Sequence, residues 1–250
     1  MKVITHDDFH EVYTSDPAAE AGRIQAVLDA LGDEFTYVEA EPASWEDIQA
    51  VHTERHIDSV IRRKLDRIAS LAAGGAVQAA ETGLSEPCFA LVRPPGHHAS
   101  ADSSWGFCYF NNMAIAIEHL KRHNRIRKAH ILDFDLHFGD GNVNILGGKD
   151  YVTLHNPDRH DRTSYLRAVQ GRLRETDADI VGVSAGFDNH ARDWGGLLLT
   201  EDYQAMGLMI HELKKERNTG CFGVLEGGYN HNVLGVNVRA FLRGLQGLED

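Results

Sequence analysis

An α/β fold on a mostly parallel central sheet is expected from how apolar runs and helical patterns alternate along the chain. Five short apolar or β-branched runs are each bounded by polar or glycine residues: Phe89 to Val92, Ala129 to Phe134, Tyr151 to Leu154, Ile180 to Ser184 and Phe222 to Leu225. Strands buried on both faces read this way. Helical patterns lie before and between them. Asp16 is placed to cap a helix that opens on Pro17 and runs to about Leu31. Ser44 starts a second at Trp45-Glu46-Asp47, and Thr200-Glu201-Asp202 opens a third that ends near Arg217, where Lys214, Lys215 and Arg217 suit the carbonyl end.

The chain has 250 residues, 42% of them hydrophobic and 25% charged, so it can bury a sizeable core and is neither a disordered polymer nor a stapled miniprotein. No linker, repeat or low-complexity run divides it, and residues 1–250 read as one domain. Cys88, Cys108 and Cys221 are widely spaced and form no C-x-x-C pair, which points to a reducing compartment and leaves any metal to His and carboxylate ligands. The N-terminus lacks the apolar run of a signal peptide, and no stretch reaches the ~20 apolar residues that span a bilayer. A soluble, cytoplasmic protein without a membrane partner is expected. A net charge of −12 argues against nucleic acid and leaves cationic small molecules as natural partners.

In parallel sheets ligands bind beyond the carboxyl ends of the strands. After Val92 comes Arg93-Pro94-Pro95-Gly96-His97-His98, a stiffened turn that presents two imidazoles. The next run continues as Asp133-Phe134-Asp135-Leu136-His137, and an extended backbone would place Asp133, Asp135 and His137 on one side. Three ionisable groups at the end of an apolar strand are costly to bury unless they are paired or hold a cation. An EF-hand beginning at Asp133 fails, because its turn glycine would be Phe138 and its bidentate Glu would be Asn144. Asp188, after Ile180 to Ser184, offers a further carboxylate. Asp135, His137 and Asp188 would make a three-ligand site with one position open, as a catalytic metal needs; zinc is the first expectation, with Fe(II) or another divalent ion also compatible. Tyr229 follows Gly227-Gly228 at the end of the last run.

Five segments together, Arg93 to Ala99 (RPPGHHA), Gly106 to Asn112 (GFCYFNN), Asp133 to Gly141 (DFDLHFGDG), Ser184 to Asp188 (SAGFD) and Glu226 to Asn230 (EGGYN), resemble the zinc-dependent histone deacetylase superfamily, in the same order along the chain. The similarity is closest to its bacterial and class II-like branch, which includes acetylpolyamine amidohydrolases. It extends more weakly over Glu46 to Val60 and Leu71 to Glu81. The resemblance implies the three-layer arginase-deacetylase fold and metal ligation by Asp135, His137 and Asp188. It implies His98 as general base and acid with His97 beside it, Asp133 behind His97 and Asp140 behind His98, each carboxylate raising the pKa of its imidazole. Tyr229 matches the oxyanion-stabilising position, and Gly106 with Phe107 matches one wall of the acyl channel. The activity implied is hydrolysis of an acyl, notably acetyl, group from an amine such as acyl-lysine or an acetylpolyamine. Potassium bound by main-chain oxygens around Asp133, Asp135, His137, Thr153 and Leu154 is implied as well.

The chain departs from the family where the segment after Leu154 is cut to His155 through Arg162. An active-site loop and its aromatic wall are missing there, so a wider, shallower site with His155, Arg159 or His160 near its rim is expected. The segments Thr82 to Pro87 and Asp7 to Tyr13 depart too. Two rival readings remain: a serine hydrolase using Ser184 in Gly182-Val183-Ser184-Ala185-Gly186, which matches G-x-S-x-G, and a non-catalytic binding module that keeps the metal site.

Overall fold

The computed structural model describes residues 1–248. Among them one sheet runs through the molecule: β1 (Lys2–Thr5), β2 (Thr36–Glu39), β3 (Cys88–Ala90), β4 (Ala129–Asp133), β5 (Val152–His155), β6 (Ile180–Ala185) and β7 (Gly220–Leu225). All pairings are parallel, in the order β2-β1-β3-β7-β6-β4-β5. The five expected runs form the central strands and the β5 edge. Strands β1 and β2 were not expected, and their burial explains why. β2 is a largely exposed edge strand, and β1 buries only Val3 and Ile4 fully, so neither carries a continuous apolar run.

The helices are α1 (Arg23–Leu31), α2 (Trp45–Gln49), α3 (Glu54–Arg62), α4 (Asp66–Gly83), α5 (Asn112–Arg122), α6 (Asp140–Leu146), α7 (Arg162–Glu175), α8 (Thr200–Arg217) and α9 (His231–Leu245). Alternation along β7 shows how they divide. The ring of Phe222 lies beside Gly182 of β6 and Met113 of α5, whereas the next residue, Gly223, faces Phe89 and Phe241 of α9. Helices α4 and α5 therefore cover one face, while α9, with α1 and α8 packed on it, covers the other. The result is the expected three-layer α/β/α architecture. Phe134, Phe187, Tyr203 and Phe241 meet edge to face or tilted, at centroid distances of 5.2 Å for Phe134–Phe241 and 4.9 Å for Phe187–Tyr203. These rings form an apolar floor beneath the loops that carry Asp135 and Asp188.

The helix expected from Pro17 to Leu31 is broken. A single 3-10 turn spans Pro17–Ala19, and α1 starts only at Arg23, after Gly22 at φ 82°. Asp16 caps nothing; its carboxylate accepts from Thr14 Oγ1 at 2.8 Å and from the Tyr109 hydroxyl at 3.2 Å. The break turns Arg23 inward, where it is fully buried and donates to Gly228 O at 2.8 Å and Glu226 O at 2.6 Å. The other two starts hold. Ser44 Oγ accepts from Asp47 N, and Asp202 reaches back to Leu199 N at the head of α8. The three cysteines are buried and form no disulfide. No helix among the described residues is long and apolar enough to cross a membrane.

Buried His52, in the turn between α2 and α3, ties this region to the loop carrying His97 and His98. Its Nδ1 lies 3.0 Å from Ser100 O and its Nε2 accepts from Asn111 N at 2.9 Å, which fixes a neutral Nδ1–H tautomer. Burial, reinforced by neighbouring His56, depresses its pKa to about 3. The unfolded chain takes up a proton near pH 6.5 that the fold refuses, so this group's stabilisation is present above pH 6.5 and declines as pH falls toward 3. The slope approaches about 1.4 kcal/mol per pH unit. Denaturant titrations at pH 7 and pH 5 should show lower stability at pH 5, with the difference reduced in His52→Gln.

Candidate functional site

The four central strands β3, β7, β6 and β4 end at one place, and the loops leaving them converge there. β4 ends at Asp133, so Asp135 and His137 lie in the loop beyond it rather than on an extended face. That loop is wired to its neighbours. Asp135 accepts from His137 N at 2.9 Å and from Gly227 N at 2.8 Å, and Asp188 accepts from Leu136 N at 3.0 Å. Backbone donors of this kind hold a carboxylate charged and fixed before any cation arrives.

Asp135, His137 and Asp188 form a cluster whose ligand atoms all lie within 4.8 Å of one another. His137 Nδ1 sits 3.2 Å from Asp135 Oδ1 and 3.0 Å from Asp188 Oδ2. Asp188 is fully buried, and apart from His137 Nδ1 its Oδ2 has no hydrogen-bond partner. A buried carboxylate oxygen met only by an imidazole, beside a second buried acid, calls for a cation. The electrostatics agree: hydrogen bonds that Asp135 and Asp188 accept from its ring raise His137 to about 10, marking a place for positive charge, while burial and the Asp135 charge raise Asp188 to about 6. Two acids and one imidazole suit a divalent ion, which would displace that proton.

Glycine is required around this cradle by close approach. A Cβ on Gly227 would come 2.6 Å from Asp135 Oδ2 and 2.7 Å from Asp188 Oδ2. Gly227→Ala should therefore raise the metal concentration needed for half occupancy. Gly171→Ala on α7, where an added methyl meets nothing within 4 Å, should leave it unchanged.

His97 and His98 stand beside the cradle, rings 4.0 Å apart. Glu226 holds their loop by accepting from Gly96 N at 2.7 Å and His97 N at 3.2 Å. His97 Nδ1 lies 3.2 Å from Asp133 Oδ2, and His98 Nδ1 lies 2.7 Å from Asp140 Oδ1, so both expected pairs are formed. Of the two, only His98 titrates differently from expectation. Burial opposes charging of His97, but Asp135 and Asp133 outweigh it and raise its pKa. His98 instead falls to about 4, because burial and the charge of His97 outweigh Asp140. The other oxygen of Asp140 accepts from Trp105 Nε1 at 2.8 Å, a bond that helps keep the carboxylate charged.

Tyr229 is positioned from two sides. Its backbone N–H and that of Asn230 donate to Asp193 Oδ2 at 2.8 and 2.7 Å, and its ring stacks on Trp194 at 4.0 Å. Phe107 meets the ring edge to face at 5.9 Å, and Gly106 packs directly on His98. The Tyr229 hydroxyl makes no hydrogen bond among the described residues and remains able to donate. Burial and the nearby Asp135 and Asp188 carboxylates keep it protonated by raising its pKa.

The rim is not as expected. His155 and Arg159 line a separate hollow with Arg172 and Glu175 of α7, and His160 is exposed. From the shortened segment Asn156 reaches the site loops, accepting from Gly139 N at 2.9 Å. Aromatic groups from other loops stand here instead: Trp105 stacks on His98 at 3.9 Å, Trp194 packs edge-on to His137 at 6.0 Å, and Phe138 follows His137 in sequence. Trp105, Asp193, Trp194 and Arg23 were all missed from sequence. Ser184 lies within β6, fully buried, and accepts from Asn142 Nδ2 at 3.1 Å, so it is no exposed nucleophile.

Comparison with known proteins agrees with this geometry. The histone deacetylase domain matches in two parts, residues 59–165 and 152–245, which overlap where the chain is shortened. A probable deacetylase of Methanothermobacter thermautotrophicus is 32% identical over 99% of this chain and 91% of its own length. The histone deacetylase-like amidohydrolase of Pseudomonas aeruginosa is 28% identical over 83% of this chain and 70% of its own. The crystal structure of the HDA15 HD domain superposes with a TM-score of 0.88 at 24% identity, covering 99% of this chain and 91% of that one. The chain belongs to the histone deacetylase family.

Proposed function

We propose that this protein is a metal-dependent amidohydrolase that removes an acyl group, acetyl first, from an amine such as acyl-lysine or an acetylpolyamine. The observation that carries the reading is the Asp135–His137–Asp188 cradle, two buried acids facing one imidazole, bordered by paired imidazoles and a free phenol. A divalent ion in that cradle, zinc being the first choice for its ligand set, would polarise the acyl carbonyl and lower the pKa of water. His98 is the proton acceptor: a carboxylate can only accept, so its Nδ1 donates to Asp140 and its Nε2 carries the lone pair. His97, held by Asp133 and flanked by Asp135, keeps a positive charge where negative charge develops. Tyr229 donates its hydroxyl proton in a hydrogen bond to the oxygen that becomes anionic. His98 then returns its proton to the departing amine, and no covalent intermediate is needed.

Gly106 and Phe107 form one wall of the acyl site. Potassium, if held, would take main-chain oxygens around Asp133, Asp135, His137, Thr153 and Leu154, where the ends of β4 and β5 run side by side. The test is a panel of acylated lysines, acetylated polyamines and small amides, with metal content measured in parallel. Hydrolysis lost to a chelator and indifferent to a serine-directed inhibitor supports the reading. One bound metal with no hydrolysis of any amide would instead favour the binding module.

A further inference from the structure

We infer that Trp105 is a positioning residue for the proposed base: its indole locks the Asp140–His98 pair by gripping the carboxylate and covering the imidazole. The inference rests on the amidohydrolase reading for its consequence and on geometry for its substance. Asp140 uses both oxygens at once, Oδ1 toward His98 Nδ1 at 2.7 Å and Oδ2 toward Trp105 Nε1 at 2.8 Å. The same indole lies on the His98 ring with centroids 3.9 Å apart and planes inclined by 31°. Two contacts from one rigid side chain therefore determine both where the carboxylate points and where the imidazole lies.

The cost of this placement argues that it is more than packing. Trp105 remains 56% exposed, although most large apolar side chains here are buried. It is followed by two consecutive left-handed residues, Gly106 at φ 57° and Phe107 at φ 68°. A left-handed Phe is strained, and such strain persists where the surroundings over-determine it. A Cβ on Gly106 would come 2.4 Å from His98 Cδ2, so the same turn that presents Trp105 also seats the imidazole. Asp140 is the first residue of α6, whose N-terminal N–H groups favour its charged form, and the indole supplies the remaining donor.

The test compares Trp105→Phe, which keeps an aromatic face and removes the donor, in the wild-type and Asp140→Asn backgrounds. In the wild type kcat should fall roughly 10-fold or more, as when an outer partner of a site is removed, with KM and metal content unchanged. In Asp140→Asn the same substitution should change kcat by less than about twofold, because coupled residues are non-additive. Equal losses in both backgrounds would overturn the proposal. A second readout does not depend on turnover: the His98 Nδ1–H proton should resonate downfield of ordinary amides by NMR, vanish or shift in Asp140→Asn, and move in Trp105→Phe. An unmoved resonance in Trp105→Phe overturns the proposal even if acyl amides are hydrolysed. A moved resonance in a protein that hydrolyses none upholds the positioning role and defeats the amidohydrolase reading.

Discussion

Replacing Asp188 with alanine should yield protein that carries no stoichiometric divalent metal and has lost hydrolysis by more than the roughly 100-fold typical of a removed supporting partner. Asp188 is the residue to change because it makes few other contacts. Its Oδ1 accepts from Leu136 N, and its Oδ2 points into the cradle, where it meets only His137 Nδ1. A second effect has the opposite sign. In metal-free protein burial and the Asp135 charge outweigh the attraction of His137 for the Asp188 carboxylate, so Asp188→Asn should stabilise that form against denaturant while still failing to bind metal. Gain of stability with loss of function is a common pattern where a site holds strained charge. Melting curves with and without added zinc check both halves: zinc should raise the melting temperature of the wild type and leave that of Asp188→Asn unmoved.

Tyr229→Phe should lower kcat by roughly 10²- to 10³-fold, the cost of one oxyanion donor, or about 3–4 kcal/mol. KM and metal content should stay near the wild-type values. The split follows from the surroundings of the ring. Stacking on Trp194, the edge contact with Phe107 and the grip of Asp193 on the backbone are all available to phenylalanine. Only the unpartnered hydroxyl is removed, so the loss falls on the step in which the carbonyl oxygen becomes anionic. A Tyr229→Phe protein of unchanged turnover would remove the phenol from the mechanism, and one that loses metal would make the residue structural.

What the sequence displayed and what it hid follow from the range of the interactions. Strands β4, β6 and β7 are buried along their whole length, so their composition alone marks them. β1 and β2 are short and partly exposed, and only pairing across the fold makes them strands. The break before α1 serves Arg23, which reaches the Glu226 and Gly228 carbonyls about two hundred residues along the chain; no local pattern encodes that contact. The metal cluster was legible because carboxylates at the ends of apolar strands are costly without a cation. Trp105 and Trp194 were not, since a tryptophan in a loop reads as packing until the ring it covers is known. The fall in the His98 pKa was hidden for a related reason: the Asp140 partner could be anticipated, but not the charge of His97 stacked beside the ring.

Metal titration of chelator-stripped protein, read as hydrolysis of an acetylated amine, puts the cradle itself to the test. Activity should be absent at the start, rise in proportion to added zinc, and break at one equivalent per chain, with Asp188→Ala flat throughout. Stripped protein that cleaves the amide at the full rate before any metal is added would contradict the account.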